Sequence, residues 1–372
     1  MNFEEKLARI KVNSFSYLRS DWLMEMIKIF GNAVELLKQD AKTISKEGKI
    51  SLESAEAFLK SCAMLDSQKE MEKTEKVGGK ILFNGEEDFP QRLAEIKEAP
   101  LLVYVRGDLG DTQRASVGMV GTRKMSPYGR RAATQLAGDL AQSGVVLVSG
   151  LARGIDSVVH AQSVKNESAT WALIGTGIGR CYPAENRELA RAILDTGGAI
   201  ISELPFDAAP LAHHFPRRNR LIAGLSDLVV VVEGEIKSGA LITAKMALDQ
   251  GLDVMAVPGP IDSPTSGGPN KLIKEGAGMV LSAKDIIDAI PSTKKFGLKV
   301  KKLYNESKEP SEPLTEQEQK ILDLIGDGSK NVDELSLEAD LEITQLSAIL
   351  FSLEVSGIVI CTDGKYSRSK FN

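Results

Sequence analysis

One loop of the sequence combines the residue types that bind phosphate groups. The loop follows the apolar run 116–120 and consists of Gly121, Thr122, Arg123 and Lys124. Glycine lets an anion approach the backbone, and arginine adds a planar donor that can form two parallel hydrogen bonds. Ser126 and Pro127 come next and favour the start of a helix, whose N-terminal N–H groups attract anions. The segment is therefore predicted to bind phosphate.

Similar residues stand near other apolar runs. Arg153 lies in a glycine-flanked loop after the run 145–149. Ser238 and Gly239 come after the run 227–233 and begin a predicted helix that carries Lys245. Ahead of that run stands a cationic group made up of Arg217, Arg218, Asn219 and Arg220. Because the carboxyl ends of parallel strands meet at one edge of a sheet, these residues are predicted to line one rim.

A rim with several cations suits an extended anion better than a single phosphate. Phe215 lies beside the cationic group and offers a ring on which a base can stack. For any one arginine the simpler interpretation is a solvated surface charge, and we keep it for Arg130 and Arg131 on the outer face of a predicted helix. The convergence of four strand ends favours single-stranded nucleic acid as the ligand.

The elements that must position this rim are short Val/Ile/Leu-rich runs separated by helical stretches. The runs are 116–120, 145–149, 170–174, 199–202, 227–233, 253–257 and 278–282. Near-continuous apolar strands alternating with helices are typical of a parallel sheet covered on both faces. The fold class is therefore predicted as α/β, an extended Rossmann-like, doubly wound and mostly parallel sheet.

The chain is predicted to contain two flanking domains. Residues 1–76 show helical spacing and form a small helical domain, and 77–291 form the α/β domain. Residues 292–313 are interpreted as a basic linker, with six lysines and two glutamates between Ser292 and Glu309. Residues 314–372 suggest three helices and a β-hairpin, the layout of a winged helix.

Six segments together resemble the DNA-processing protein A family in order and spacing. They are GTRKMSPYG from 121, SGLARGIDSVVH from 149, GTGIGRCYPAEN from 175, FPRRNRLIAGLSDLVVVVE from 215, SGALITAKMAL from 238 and VPGPIDSPTSGGPNKLIKEGA from 257. The resemblance spans Gly78 to Ile290. It implies an extended Rossmann domain that forms a homodimer, binds single-stranded DNA and helps to load the RecA recombinase in natural transformation and recombination.

The resemblance also implies roles for particular residues. Its motif positions give DNA contacts to Arg123, Lys245, Arg217, Asn219 and Arg220, and backbone phosphate contacts to Gly121, Ser238 and Gly239. The terminal domains resemble a sterile-alpha-motif-like module and a winged helix. Together with Thr122, Lys124 and Arg153 from the rim, these residues make up the predicted nucleic-acid site.

A Rossmann-type nucleotide phosphoribohydrolase is the alternative function. That class needs a carboxylate to stabilise an oxocarbenium-like transition state and activate water, whereas this chain has Lys245 near the corresponding place. The glycine run 175–179 lacks the usual dinucleotide spacing, and His213 and His214 lack further ligands at metal-binding spacing. We therefore expect a binding protein rather than an enzyme, with no cofactor and no metal.

Composition and charge restrict which class of protein this chain can belong to. The 372 residues are 42% hydrophobic and 26% charged, with a net charge of −5. No apolar run is long enough for a membrane helix and no secretory signal is visible, so a cytoplasmic protein without membrane contact is expected. The terminal segment 310–372 carries 5 basic and 12 acidic residues, and the expected recognition helix at 342–356 has no lysine or arginine. This winged helix is predicted to contact protein rather than DNA.

Overall fold

A central β-sheet organises most of the chain. The computed structural model describes residues 1–295, 298, 315–326, 328–355, 358–362 and 364–368. The strands are β1 Gly79–Phe83, β2 Leu102–Gly107, β3 Ser116–Val120, β4 Val146–Ser149, β5 Thr170–Leu173, β6 Ala199–Ser202, β7 Leu228–Val231, β8 Asp253–Ala256, β9 Gly278–Met279, β10 Ser329–Asn331, β11 Val359–Thr362 and β12 Lys365–Arg368.

Helices surround this sheet and make up most of both ends of the chain. They are α1 Phe3–Val12, α2 Ser20–Phe30, α3 Ala33–Leu37, α4 Ala41–Gly48, α5 Leu52–Met64, α6 Ser67–Lys76, α7 Gln91–Ala94, α8 Pro127–Gln142, α9 Ile155–Lys165, α10 Arg187–Asp195, α11 His214–Gly224, α12 Gly239–Asp249, α13 Gly267–Lys274, α14 Ala283–Ala289, α15 Glu316–Ile325, α16 Val332–Ala339 and α17 Ile343–Val355. Short 3₁₀ turns lie at Ala184–Asn186, Pro264–Ser266 and Ser292–Lys294.

The main sheet is doubly wound. Among the described residues its strand order is β1-β2-β6-β5-β4-β3-β7-β8-β9. In that order, neighbouring strands from β6 through to β9 pair parallel. β1 pairs antiparallel with β2, and β2 pairs antiparallel with β6. The predicted mostly parallel α/β fold is thus confirmed. The chain builds from β3 outwards to β6 and then returns to add β7 on the other side of β3, which makes the loops after β3 and β7 the switch point where such sheets bind ligands.

Burial explains why the apolar runs form these strands. Every residue of β3, β4, β5, β6 and β7 is buried. Side chains from successive strands, among them Val148, Trp171, Ile201 and Val229, share one apolar cluster. Each such side chain removed from water stabilises the fold by roughly 1.5–3 kcal/mol, so the β-branched runs favour a sheet that is covered on both faces.

The N-terminal helices begin at side chains suited to capping. Asn2, Asn32, Asp40, Ser51 and Asp66 each accept a hydrogen bond from an N–H group in the first turn of α1, α3, α4, α5 and α6. The helices enclose an apolar cluster of their own. They nevertheless belong to one compact unit that spans residues 1–301, and residues 302–372 form a second unit. The boundary predicted at 76 and 77 therefore falls inside the first unit.

The second unit contains three helices and a small sheet. Helices α15, α16 and α17 enclose Leu335, Leu346 and Leu350, and the strands pair in the order β10-β12-β11. The predicted winged helix is confirmed, and β10 is an additional strand that its polar sequence did not indicate. The predicted linker 292–313 lies mostly outside the described residues. No helix in the described part of the chain is long and apolar enough to span a bilayer.

Candidate nucleic-acid interface

A cavity of 820 Å³ opens at the switch point of the main sheet. We call it the rim cavity. Its lining contains the loop after β3, the residues that begin α12, and one face of α11. The predicted site residues that line it are Gly121, Thr122, Arg123, Lys124, Asn219, Ser238 and Gly239. The expectation that the strand-end loops converge is met for these seven residues.

The loop after β3 is held by its backbone. Thr122 N–H donates to Glu233 O at 2.8 Å, and Ile155 N–H donates to Thr122 O at 3.2 Å. A Cβ on Gly121 would lie 2.5 Å from the Ile155 side chain, so the glycine is required by packing as well as by access to an anion. Gly154, at φ +77°, lies directly against the same loop. The fixed backbone leaves the side chains of Arg123 and Lys124 exposed.

The N-terminus of α8 does not offer the phosphate site that its sequence suggested. Ser126 caps the helix as predicted, with its Oγ 3.0 Å from Gly129 N. The buried carboxylate of Glu233, however, accepts hydrogen bonds from Ser126 N at 2.9 Å and Ser126 Oγ at 2.6 Å. A negative charge already occupies the position where the helix dipole would attract a phosphate.

The N-terminus of α12 is open instead. Ser238 precedes the helix, and its side chain makes no capping hydrogen bond. Its Oγ is buried and has no hydrogen-bond partner in the described part of the chain. Buried hydroxyls are normally hydrogen-bonded, so an unpaired hydroxyl beside uncapped N–H groups marks a place where a ligand oxygen can bind.

Two aromatic rings also line the rim cavity. The guanidinium carbon of Arg123 lies 5.4 Å from the centre of the Phe215 ring. Tyr182 packs against Phe215 with ring centres 5.5 Å apart, and both rings line the cavity. Cations and stackable rings therefore face the same space, the combination that single-stranded nucleic acids require.

Arg218 belongs to the cationic group that was predicted to line the rim, but it was not among the residues of the predicted nucleic-acid site. It is buried beneath the rim cavity, and its Nη1 donates to Gly150 O at 2.7 Å and to Leu173 O. Burial lowers the pKa of Arg218 to about 10, while the Asp156 carboxylate opposes this effect. Arg218 therefore remains charged at neutral pH. The signal was available, because Arg218 stands three residues after Phe215 and shares its helical face.

Arg217 and Arg220 lie outside the rim cavity, on the opposite face of α11. Arg220 Nη2 lies 2.5 Å and 2.6 Å from the two carboxylate oxygens of Glu203, and both side chains are buried. Arg217 donates to Ser16 O at 2.6 Å and to Ser20 Oγ at 2.9 Å. Arg220 Nη2 also donates to Ser20 Oγ at 3.1 Å. Through Ser16 O and Ser20 Oγ, both arginines thus connect α11 to the N-terminal segment.

Two further predicted residues lie at the margin. Arg153 lines a smaller cavity together with Arg123, and it forms an exposed ion pair with Glu185. Lys245 is exposed on α12 and is not among the residues lining the rim cavity.

The phosphoribohydrolase alternative requires a catalytic carboxylate, and two carboxylates line the rim cavity. Asp156 is buried and accepts hydrogen bonds from Gly150 N at 3.1 Å and Ala152 N at 3.4 Å. Burial raises the pKa of Asp156, although Arg218 and these hydrogen bonds oppose the shift. Glu235 lines the cavity but is exposed. Asp156 thus has a local structural role, because it accepts hydrogen bonds from the backbone of the loop after β4.

The glycine run after β5 has a packing role. Cβ atoms on Gly177 and Gly179 would overlap the segment around Phe206, and one on Gly175 would lie 2.8 Å from the Phe215 ring. The two neighbouring histidines are also engaged: the His213 ring lies 4.8 Å from that of Tyr17, and His214 Nε2 lies 3.0 Å from Ser16 Oγ. These contacts give the glycine run and the two histidines a role in packing.

Comparison with known proteins identifies relatives across most of the chain. Protein Smf of Escherichia coli is 36% identical over 289 residues, which cover 76% of this chain and 75% of the relative. DNA processing protein DprA of Bacillus subtilis is 42% identical over 204 residues, which cover 55% of this chain and 68% of the relative.

Two solved structures of DNA processing protein A also match this chain. The crystal structure of DNA processing protein A from Streptococcus pneumoniae matches with a TM-score of 0.65 and 29% identity, covering 78% of this chain and 99% of that one. DNA processing protein A from Helicobacter pylori, described for its single-stranded DNA binding mode, matches with a TM-score of 0.51 and 28% identity. The match covers 56% of this chain and 94% of that one.

Family models match both units. The model of the DprA winged helix domain matches residues 305–365. The model described as DNA recombination-mediator protein A matches residues 80–291, more than half of the sequence and the part that contains the rim cavity. The chain belongs to the DNA recombination-mediator protein A family.

Proposed function

We propose that this chain binds single-stranded DNA in the rim cavity and delivers it to the RecA recombinase in recombination and natural transformation. The observation that carries the proposal is the rim cavity itself, where Arg123 lies over the Phe215 ring. Lys124, Tyr182 and the uncapped start of α12 line the same cavity. The Helicobacter pylori relative described for single-stranded DNA binding supports the same ligand.

A single strand fits this arrangement better than a duplex. Bases can stack on Phe215 and Tyr182 only if their faces are exposed, as they are in a single strand. Phosphates then meet Arg123, Lys124 and the N–H groups at the start of α12. A duplex hides its base faces, so it would gain only the phosphate contacts.

The proposed contacts differ by residue. Gly121, Thr122, Arg123, Lys124, Asn219, Ser238 and Gly239 line the rim cavity and are proposed to touch the strand. Arg153 is proposed to join them after leaving Glu185, and Lys245 to meet a phosphate farther along α12. Arg218 supplies positive potential from below, whereas Arg217 and Arg220 keep α11 in place.

Binding to single- and double-stranded DNA of equal length, titrated with salt, tests this function. We expect clear preference for the single strand and a log–log salt slope of about 0.7 for each phosphate contacted. Equal affinity for both forms would contradict the proposal. Steady release of base from nucleoside monophosphates by the same protein would favour the phosphoribohydrolase alternative instead.

A homodimer through the α/β domain is part of the proposal. The main sheet ends at β9, whose two residues are exposed, and Met279 and Leu281 there are 50% and 71% exposed. An exposed strand edge with apolar side chains favours pairing with a second copy. Two rim cavities in one dimer would engage one strand together and gain from effective concentration. The family description as a recombination mediator supports action with RecA.

Removing the winged helix should not weaken binding to single-stranded DNA. The segment 310–372 has a net charge of −7, from 5 basic and 12 acidic residues, and α17 contains no lysine or arginine. Since like charges repel, deletion of residues 314–372 is expected to leave the affinity unchanged or slightly higher. Affinities of the intact and truncated chains at two salt concentrations check this. A tenfold loss, about 1.4 kcal/mol, would mean that the winged helix binds DNA.

The same domain offers apolar surface for a protein. Leu346, Leu350 and Leu353 of α17 are buried in its own core, but Phe351 and Ile343 are 68% and 52% exposed. A helix that exposes large apolar side chains and lacks cations suits a protein partner better than a phosphate backbone.

A further inference from the structure

A second cavity, of 570 Å³, is lined by four arginines. We call it the arginine cavity. Arg106 comes from β2, Arg180 from the loop after β5, and Arg187 and Arg191 from α10. Glu188 is the only acidic residue among the described residues that line it. None of these residues belongs to the nucleic-acid site predicted from the sequence.

The arginines of this cavity are poorly compensated by the protein. Arg180 Nε donates to Asp207 O at 2.7 Å, and that acceptor is a neutral carbonyl. Within the described ranges, the side chains of Arg106, Arg187 and Arg191 form no hydrogen bond or ion pair. Arg187 and Arg191 are four residues apart on α10, a spacing at which like charges destabilise a helix. An anion in the cavity would relieve this repulsion.

Tyr182 connects the arginine cavity to the rim cavity. Its side chain lines both, is 43% exposed, and packs against Phe215 of the rim cavity wall. The floor of the arginine cavity contains apolar side chains, including Ile174, Ile178 and Ile200. One continuous surface therefore runs from Arg123 over two rings to a pocket with an apolar floor and cationic walls.

We propose that the arginine cavity is a second subsite for the same single strand, which crosses Tyr182 and places its next phosphates among Arg106, Arg180, Arg187 and Arg191. This inference rests on the proposed function. A strand has the required chemistry: its backbone supplies anions at regular intervals, and its sugars and bases supply apolar faces for the floor. Strands too short to reach past Tyr182 use the rim cavity alone.

The double variant Arg187→Gln/Arg191→Gln tests the second subsite. Both side chains are exposed, so the substitutions should leave the fold intact. We measure binding of oligothymidines of about six and about sixteen nucleotides, which lie within the site sizes of single-strand-binding folds. The affinity for the long strand should fall tenfold or more, and its log–log salt slope should drop by about 1.4, for two lost phosphate contacts. Affinity for the short strand should stay unchanged.

The double variant Arg130→Gln/Arg131→Gln is the matched control. It removes two exposed arginines from α8, outside both cavities, and changes the net charge equally. It should behave like the wild-type chain with both strands. If Arg187→Gln/Arg191→Gln loses no more than this control, or loses equally on both strands, the second subsite is wrong while the rim cavity stands. If the wild-type chain binds neither strand, the proposed function fails and this inference fails with it.

Discussion

Replacing Arg123 by alanine is expected to reduce the affinity for single-stranded DNA by about 10- to 100-fold. Arg123 stands at the switch point, exposed beside Phe215, and its side chain forms no ion pair or hydrogen bond within the described part of the protein. A charge-assisted hydrogen bond to phosphate contributes about 1.5–3 kcal/mol, and the guanidinium also faces the ring on which a base would stack. Fluorescence anisotropy with an oligothymidine measures the loss, and the salt slope should fall by about 0.7.

Two further variants test whether the loss of affinity comes from Arg123 itself and from its planar guanidinium. Arg130→Ala removes an exposed arginine from the outer face of α8 and should bind as the wild type does. Arg123→Lys keeps the charge but loses the planar donor pair and the stacking, so an intermediate affinity is expected. The unfolding midpoint of Arg123→Ala should match the wild type, because the side chain is exposed. Full affinity in the folded alanine variant would remove Arg123 from the interface.

Replacing Glu203 by glutamine should destabilise the first unit by about 3–5 kcal/mol, because it leaves Arg220 buried without a counter-ion. The Glu203 carboxylate neutralises Arg220 with contacts of 2.5 Å and 2.6 Å, and it also accepts from Ser20 on α2. Glutamine has nearly the same shape, so the loss isolates the charge. Urea unfolding followed by tryptophan fluorescence measures this, since Trp22 and Trp171 both lie in the first unit.

The difference in unfolding free energy between the wild type and Glu203→Gln should depend on pH. Burial alone raises the pKa of Glu203, but Arg220, Arg217 and the Ser20 hydroxyl outweigh it and hold the pKa below its ordinary value of 4.5. The unfolded chain therefore binds the proton first as pH falls. The contribution of Glu203 is fully present above about pH 4.5 and is lost as pH falls through the lower folded-state pKa. The gap between the wild type and Glu203→Gln should close over that range.

An exposed pair between α6 and the segment after β6 supplies the control. Lys73 Nζ lies 2.7 Å from Asp207 Oδ2, and the two side chains are 44% and 53% exposed. Asp207→Asn should cost no more than about 1 kcal/mol, since solvent screens such pairs. A cost from Glu203→Gln as small as that from Asp207→Asn would show that the buried carboxylate contributes no more to stability than an exposed one.

Local sequence patterns determined much of the architecture. Apolar runs of four to seven residues predicted the strands from β3 to β9. For β3 to β7 the reason is burial, since parallel strands covered on both faces need such side chains. Ser126 with Pro127 predicted the start of α8, and the loop at 121–124 was predicted to lie at the carboxyl edge of the sheet, where it lines the rim cavity. These features follow from residues close together in the chain, so the sequence alone reveals them.

Tertiary structure decided which charges are accessible. Arg217, Arg218 and Arg220 look equivalent in sequence, yet the phase of α11 turns Arg218 towards the rim cavity and directs Arg220 towards Glu203. Glu233 lies more than a hundred residues after Ser126 but occupies the start of α8. The arginine cavity likewise gathers side chains from β2 and α10. Partners this distant in sequence leave no local pattern, because packing of the whole sheet determines which of them meet.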